Sequence, residues 1–400
     1  MASFYDTLET RSTDAREADL LDALRRQITQ ARAVAGACNL EGPELQSLGD
    51  LAGYPVLRKS ELGKWQKENP PFGGFAVTKP AHVFQSPGPI YEPGQTSHDW
   101  WRMGRFLHAA GITSDDIVQN CFSYHFTPAG LMFENGAAAV GATVFPAGTG
   151  QTELQARAAA DIGITAYAGT PDYLKVILDK GVELGLDLSK ITRAAVGGGA
   201  LFPSLRAEYA ERGIACLQCY ATADLGNIAY ESDAMEGMII DEGVIVEIVT
   251  PGTGNPVAIG EVGEVVVTTL NPDYPLIRFA TGDLSAMMPG ISPCGRTNQR
   301  IKGWMGRADQ TAKIKGMFVR PEQVAAFVAR NPEVARARIV ASRVGEADEM
   351  TVQVEPNAEN IAELENSVRE ILKLRGKVVL NSLGKLPNDG IVIDDQRSYE

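Results

Sequence analysis

From about residue 97 to residue 290 the chain alternates between helical and strand patterns, and this alternation constrains its fold more than any other feature. Helical spacing appears at Asp99–Ala110, Thr152–Ala160, Pro171–Lys180 and Pro203–Arg212. Between and beside them fall short apolar runs at Ile117–Phe122, Thr143–Phe145, Ala166–Ala168, Ala194–Val196 and Ala215–Tyr220. Such alternation predicts a parallel sheet covered by helices, because parallel neighbours need long crossovers and a helix is the usual one. Ahead of this region, residues 13–36 read as an amphipathic helix. Leu20, Leu21, Leu24, Ile28 and Ala31 recur at helical spacing, with Ser12 or Asp14 as the N-cap. The segment 54–64 pairs a short strand with a helix start.

Residues 239–270 change character. IIDEGVIVEIV, the turn PGTGNP and GEVGEVVVTTL read as a β-meander. The polar, Gly-rich stretch 289–306 has no periodicity and is the linker candidate. Beyond it the pattern is β–α–β–β–α–β. The predicted fold class is therefore α/β, in two domains. Residues 1–304 form a large N-terminal domain of helix-covered sheets plus a β-meander subdomain, and residues 305–400 form a small α+β C-terminal domain.

A formal charge of −13 and a pI near 5.0 argue against nucleic acid or an anionic membrane as partner. No apolar run approaches the roughly 18–20 residues needed to span a bilayer, and the N-terminus lacks the apolar core of a signal peptide. The expectation is a cytoplasmic protein. Cys216 and Cys219 form a C-x-x-C, readable as a redox or zinc half-site or as buried strand thiols; the apolar setting ACLQCY favours the thiols.

The most informative motif is GRADQTAKIKGMFVRPEQV, residues 306–324. It resembles the segment that opens the C-terminal domain of adenylate-forming (AMP-binding) enzymes, G-R-x-D-D-x-x-x-x-x-G-x-x-V-x-P-x-x-[IV]. Upstream, PCGRTNQRI (293–301) and LIRFATGDL (276–284) look like runs typical of the phenylacetate–coenzyme A ligases. Further likenesses occur in order at VQNCFSYHFTPAG, GATVFPAGTGQTELQ, GTPDY, VGGGALFP and LQCYATADLG, so the resemblance runs from about residue 55 to about 397.

That resemblance implies a ligase that joins a small carboxylic acid, with aromatic acids among the candidates, to coenzyme A through an acyl-adenylate, using ATP and Mg²⁺ and releasing AMP. It implies that Asp283 accepts hydrogen bonds from the ribose hydroxyls, since one carboxylate can take two donors from a vicinal diol. Tyr220 would stack on the adenine, with Ala221 and Thr222 beside it and Gly198, Gly199 and Ala200 on the other face. Arg307 would sit near the nucleotide and Asp309 would be the hinge. Lys315, Gly316 and Met317 would line the coenzyme A tunnel. Tyr124, His125 and Phe126 would begin the acid pocket, although the same residues also suit ordinary packing. A homodimer is the assembly that relatives suggest.

Three positions depart from the family pattern. Where the ligases carry S-S-G-T-T-G-K-P-T, this chain has FQSPGPIYEPG (84–94), which keeps only Ser86 and Gly88 and adds three prolines without N–H donors. Asp224 stands where a magnesium-binding glutamate is usual; aspartate is a competent ligand. Ile391 occupies the position of the lysine that bridges carboxylate and phosphate. Two readings stay open on these residues. One is a working ligase; the other is a homologue that binds AMP, coenzyme A or an acyl-coenzyme A without adenylating, or serves as a scaffold.

Overall fold

Ser12 starts the first helix: its hydroxyl accepts from the Ala15 N–H at 3.2 Å, and α1 runs Thr13–Arg32. In this computed structural model the described residues are 4–34, 40–199, 201–308, 310, 312–315, 317–344, 347–356, 360–387 and 391–397. Strand β1 (Leu57–Arg58) leads into α2 (Lys59–Glu68), and a hairpin of β2 (His82–Ser86) and β3 (Ile90–Gly94) follows. Helix α3 (Gly104–Ala109) begins later than the spacing predicts. Asp99 lies in the left-handed region, at φ 46°, and its carboxylate accepts from the Gly104 N–H at 2.9 Å, so it closes a turn instead of continuing a helix.

The predicted alternation is realised as β4 (Ile117–Asn120), α4 (Ala129–Ala139), β5 (Thr143–Phe145), α5 (Thr152–Ile162), β6 (Ala166–Gly169), α6 (Pro171–Glu183), β7 (Arg193–Val196), α7 (Pro203–Glu211) and β8 (Ala215–Thr222). The five strands pair in parallel in the order β5-β4-β6-β7-β8. Strand β9 (Gly226–Tyr230) and β10 (Met238–Ile240) then add antiparallel neighbours. Two apolar cores flank the sheet, one built around Phe106, Phe133 and Val118, the other around Leu174, Ile177 and Tyr209. Cys216 belongs to one core and Cys219 to the other. Three residues apart on a strand, they point to opposite faces, so they do not form a dithiol pair. Burial pushes the Cys216 thiol up to about 12 and the Cys219 thiol higher.

The meander supplies β11 (Val244–Val249), β12 (Val262–Thr269) and β13 (Phe279–Met288), and β14 (Arg300–Ile301) returns to pair with β10. By contacts the chain divides into two units. One comprises residues 1–246, 267–279 and 288–303; the other comprises 247–266, 280–287 and 304–400. Two segments of the meander region thus join residues 304–400 in the second unit.

The stretch expected to be a linker is instead largely interior to the first unit. Arg296, Asn298 and Arg300 are buried. Arg296 donates to Glu9 at 2.6 Å, Tyr230 donates to the same carboxylate at 2.8 Å, and Arg16 bonds Glu242 and the Thr297 carbonyl at 3.1 Å. The contacts of this segment are polar, so hydrophobic periodicity could not reveal them.

In the second unit, β15 (Ala312–Ile314) and β16 (Met317–Val319) form a hairpin, followed by α8 (Pro321–Arg330), the long antiparallel pair β17 (Val334–Val344) and β18 (Ala347–Pro356), α9 (Ile361–Leu372), β19 (Lys377–Leu380) and β20 (Ile393–Asp395). The four-stranded sheet has the order β19-β18-β17-β20. Phe327, Val352, Leu364 and Val368 share one core with Ile314 and Ile393, which ties the two helices to the sheet.

Candidate nucleotide and acyl site

Parallel strands end together, and in this fold type ligands bind beyond their carboxyl ends. In the first unit that edge carries Tyr124–Phe126 after β4, Gly198–Gly199 after β7, and Tyr220–Asp224 at the end of β8. Gly198 has φ +68°, a conformation that favours glycine, and a Cβ there would lie 3.7 Å from the Phe122 ring. The Gly199 carbonyl accepts from Gln218 Nε2 at 2.7 Å, which joins this loop to the neighbouring strand. Ala200 lies outside the described residues.

Tyr220 is buried at the point where the β8–β9 register shifts, between Tyr220 and Ala221. Such an irregularity re-aims side chains at a strand end. Ala221 packs against the core, and Thr222 Oγ accepts from the Leu225 N–H at 3.2 Å, closing the turn before β9. The acid-pocket residues are divided in character. Tyr124 donates to Glu134 at 2.7 Å and accepts from Asn120 at 2.8 Å; burial and the Glu134 carboxylate both raise its pKa. His125 is exposed, and Phe126 is 74% exposed in a left-handed conformation (φ 62°), with its carbonyl accepting from Gln85 N–H at 2.8 Å. The latter two therefore line the surface of the edge and do not form a closed wall.

Asp224 is the centre of a polar group that the sequence does not foreshadow. Its side chain is fully buried, and Oδ2 receives the Lys59 ammonium at 2.5 Å from the first turn of α2. Ser86, at the end of β2, is buried beside it, and Glu92 on β3 is 0% exposed. Burial raises the Glu92 carboxyl to about 7, Asp224 adds to the rise, and Ser86 and Lys59 partly oppose it. Ser86 faces Glu92 without a well-formed hydrogen bond. Among the described residues, both Glu92 oxygens, Asp224 Oδ1 and the Tyr274 hydroxyl have no hydrogen-bond partner. Among the described residues no group of three or more His, Cys, Asp or Glu side chains gathers to hold a metal ion, so a Mg²⁺ here would rest on the two carboxylates of Asp224 and Glu92, with other oxygen ligands completing its shell. Glu92 is turned inward into this cluster, so the hairpin presents the Pro87–Gly88–Pro89 turn outward and not the carboxylate.

In the second unit, residues 304–308 run alongside 282–284. Leu284 N–H donates to Gly306, Met305 N–H to Leu284, and Ala308 N–H to Gly282, at 2.8–2.9 Å. This short ladder sets two donors on one oxygen: Arg307 Nη1 lies 2.9 Å and Trp304 Nε1 3.1 Å from Asp283 Oδ1. Gly282 has φ +76°, and a Cβ there would come within 2.9 Å of the Arg307 guanidinium. The side chain of Lys315 leaves the β15–β16 turn at φ 49°, and Met317 is exposed; Asp309 and Gly316 lie outside the described residues. Ile391 lines a cavity of ≈ 480 Å³ whose wall mixes Val324, Leu386 and Val392 with Glu261, Arg336 and Arg338.

The structure thus gathers Gly198, Gly199, Tyr220, Thr222 and Tyr124 on one strand edge, and Asp283 with Arg307 in one ladder. Lys59 and Trp304 escape sequence reasoning, because each meets its partner through tertiary contact; Glu92 and Tyr274, within or beside the runs 84–94 and 276–284, are brought to Asp224 by the fold.

Comparison with known proteins agrees with this architecture. The AMP-binding enzyme family matches residues 96–271. Phenylacetate–coenzyme A ligase of Aromatoleum evansii is 30% identical over 379 residues, 88% of this chain and 84% of that protein. The Escherichia coli enzyme of the same name is 27% identical over 96% of this chain and 94% of its own. In fold, a 2-hydroxyisobutyryl-CoA ligase solved in an open conformation with 2-HIB-AMP and CoA superposes with a TM-score of 0.71 at 23% identity, covering 95% of this chain and 90% of that one. The chain belongs to the adenylate-forming AMP-binding enzymes, in the family of the phenylacetate–coenzyme A ligases.

Proposed function

We propose that this protein is an acid–coenzyme A ligase that works through an acyl-adenylate. An oxygen of the substrate carboxylate attacks the α-phosphorus of ATP, the bond to the β-phosphate breaks, and pyrophosphate leaves. The coenzyme A thiol then gives up its proton to solvent and attacks the acyl carbon, the bond from that carbon to the phosphate oxygen breaks, and AMP departs. The observation that carries this reading is Asp283, held by Arg307 and Trp304 in a ladder of a chain whose likeness to the ligases is nearly full-length. The carboxylate is the ribose acceptor, Arg307 neutralises phosphate charge, and Tyr220 with Gly198, Gly199, Ala200, Ala221 and Thr222 holds the base.

The finer assignments rest on family position together with local chemistry. Asp224, backed by Glu92, would hold Mg²⁺, where the ion would offset phosphate charge; Ser86 is the hydroxyl retained from the family's phosphate loop. Asp309 is the hinge between domains 1–304 and 305–400, and Lys315, Gly316 and Met317 line the path of coenzyme A. Tyr124, His125 and Phe126 border a pocket for a small carboxylic acid, with aromatic acids among the candidates. Assembly as a homodimer and a cytoplasmic location belong to the same proposal; among the described residues no helix is long and apolar enough to cross a membrane. The proline-rich turn at Ser86–Pro93 and Ile391 lower the rate of the first half-reaction, since one missing preorganised charge commonly costs about a hundredfold.

ATP–pyrophosphate exchange with a panel of aromatic and aliphatic acids is the test. Slow exchange with at least one acid is expected; none at high enzyme concentration counts against adenylation. In parallel, AMP should raise the melting temperature of the wild type, and Asp283→Ala should abolish that rise. A shift that survives the substitution removes the ribose assignment.

A further inference from the structure

Trp304 is a large apolar side chain that the fold leaves 55% exposed, next to exposed Met305. Burying a tryptophan is among the larger single contributions a fold can gain, so an exposed one in an ordered ladder asks for a reason. Its indole N–H is spent on Asp283 Oδ1, at 3.1 Å, and the Arg307 guanidinium reaches that same oxygen at 2.9 Å. The backbone bonds of residues 304–308 to 282–284 hold both donors in register with the carboxylate. Two donors converging on one oxygen restrain that end of the carboxylate more than the half-exposed arginine does by itself.

We propose that Trp304 is a ribose-positioning residue: its N–H orients Asp283 toward the 2′- and 3′-hydroxyls of a bound ribonucleotide, and its exposed ring covers that sugar. The inference rests on the reading of Asp283 as the ribose acceptor. The two hydroxyls need acceptor directions fixed in advance, and preorganisation of this kind is where a neutral donor contributes most. Trp304 is thus tuned to the diol, not to the base or the phosphate.

Calorimetric titration of the full chain with AMP and with 2′,3′-dideoxy-AMP separates the possibilities. For Trp304→Phe, which keeps a ring and loses the N–H, AMP should bind roughly tenfold more weakly, about the worth of one hydrogen bond to a charged acceptor. Dideoxy-AMP should bind with little change, so the AMP preference falls by the same factor. The ligand-free melting temperature should stay put, because the side chain is exposed. Trp304→Ala should lose the same preference and weaken both ligands further through loss of the ring. An unchanged AMP preference in Trp304→Phe, with the preference lost in Asp283→Asn, overturns the role of Trp304 and leaves the ribose reading standing. A preference that survives Asp283→Asn, or wild type that binds no AMP, overturns the ribose reading and this inference with it.

Discussion

Lys59 and Asp224 are 165 positions apart in the chain and 2.5 Å apart in space. No local pattern links them, which is why the carboxylate was legible from its motif and its partner was not. Removing the ammonium leaves a buried anion unpaired, and breaking one side of such a pair is costly. Lys59→Met is expected to cost roughly 2–4 kcal/mol, the lower end reflecting the partial exposure of the lysine. Adding Asp224→Asn to it should recover most of the loss, as read from denaturant midpoints. Other residues of the recognised motifs prove to be struts. Arg278, within the run that resembles the ligases, is buried and donates to the Ala52 and Tyr54 carbonyls at 3.0 and 2.7 Å. Asp283 and Arg307 were legible because each stands in a short, distinctive string, whereas Trp304 occupies a position where the string is not informative.

The parallel strands were legible because buried strands read as short apolar runs and their crossovers carry helical spacing. The β2–β3 hairpin was not, since Pro87, Pro89 and Pro93 read as breakers; Pro93 sits opposite Val83 in the pair, on a two-stranded ribbon where a missing N–H is tolerated. The start of α3 was misread for a related reason. An aspartate before a helical run suggests a cap, and here Asp99 closes the preceding turn with its carboxylate on Gly104. Burial raises Asp99 to about 6, Gly104 opposes this, and Asp241 adds to it. Its folded pKa lies above the unfolded value, so between about pH 4 and 6 the native state holds a proton that the unfolded chain has lost. Stability from this group therefore falls as pH rises through that window, by about 1–2 kcal/mol after allowance for partial exposure. Asp99→Asn keeps an acceptor and tolerates the left-handed conformation. Its melting temperature relative to wild type should climb from pH 4 to pH 7; parallel curves would show that Asp99 does not titrate in that range.

At the scale of the molecule, the family and the α/β architecture were readable from the order of motifs, while the way the first unit closes was not. Closure depends on a polar knot. Glu9 is 1% exposed and Arg296 3%, and the carboxylate also accepts from Tyr230 and from the Tyr5 N–H at 2.6 Å. Glu9→Ala should cost about 3–5 kcal/mol by stranding the guanidinium, a drop that thermal unfolding would register; a change below about 1 kcal/mol would mean the pair is replaceable by water. Glu9 and Arg296 are 287 residues apart. At a ribosome pace of 5–20 residues per second, Glu9 waits roughly 15–60 s for its counterion to be made. During that interval the strap around Glu9 lacks its Arg296 anchor, although Leu51, Tyr54, Ile245 and Ile277, which pack against α1, and Glu242, which pairs with Arg16, are made earlier. The knot makes the earliest-made segment of the first unit one of the last to be fastened.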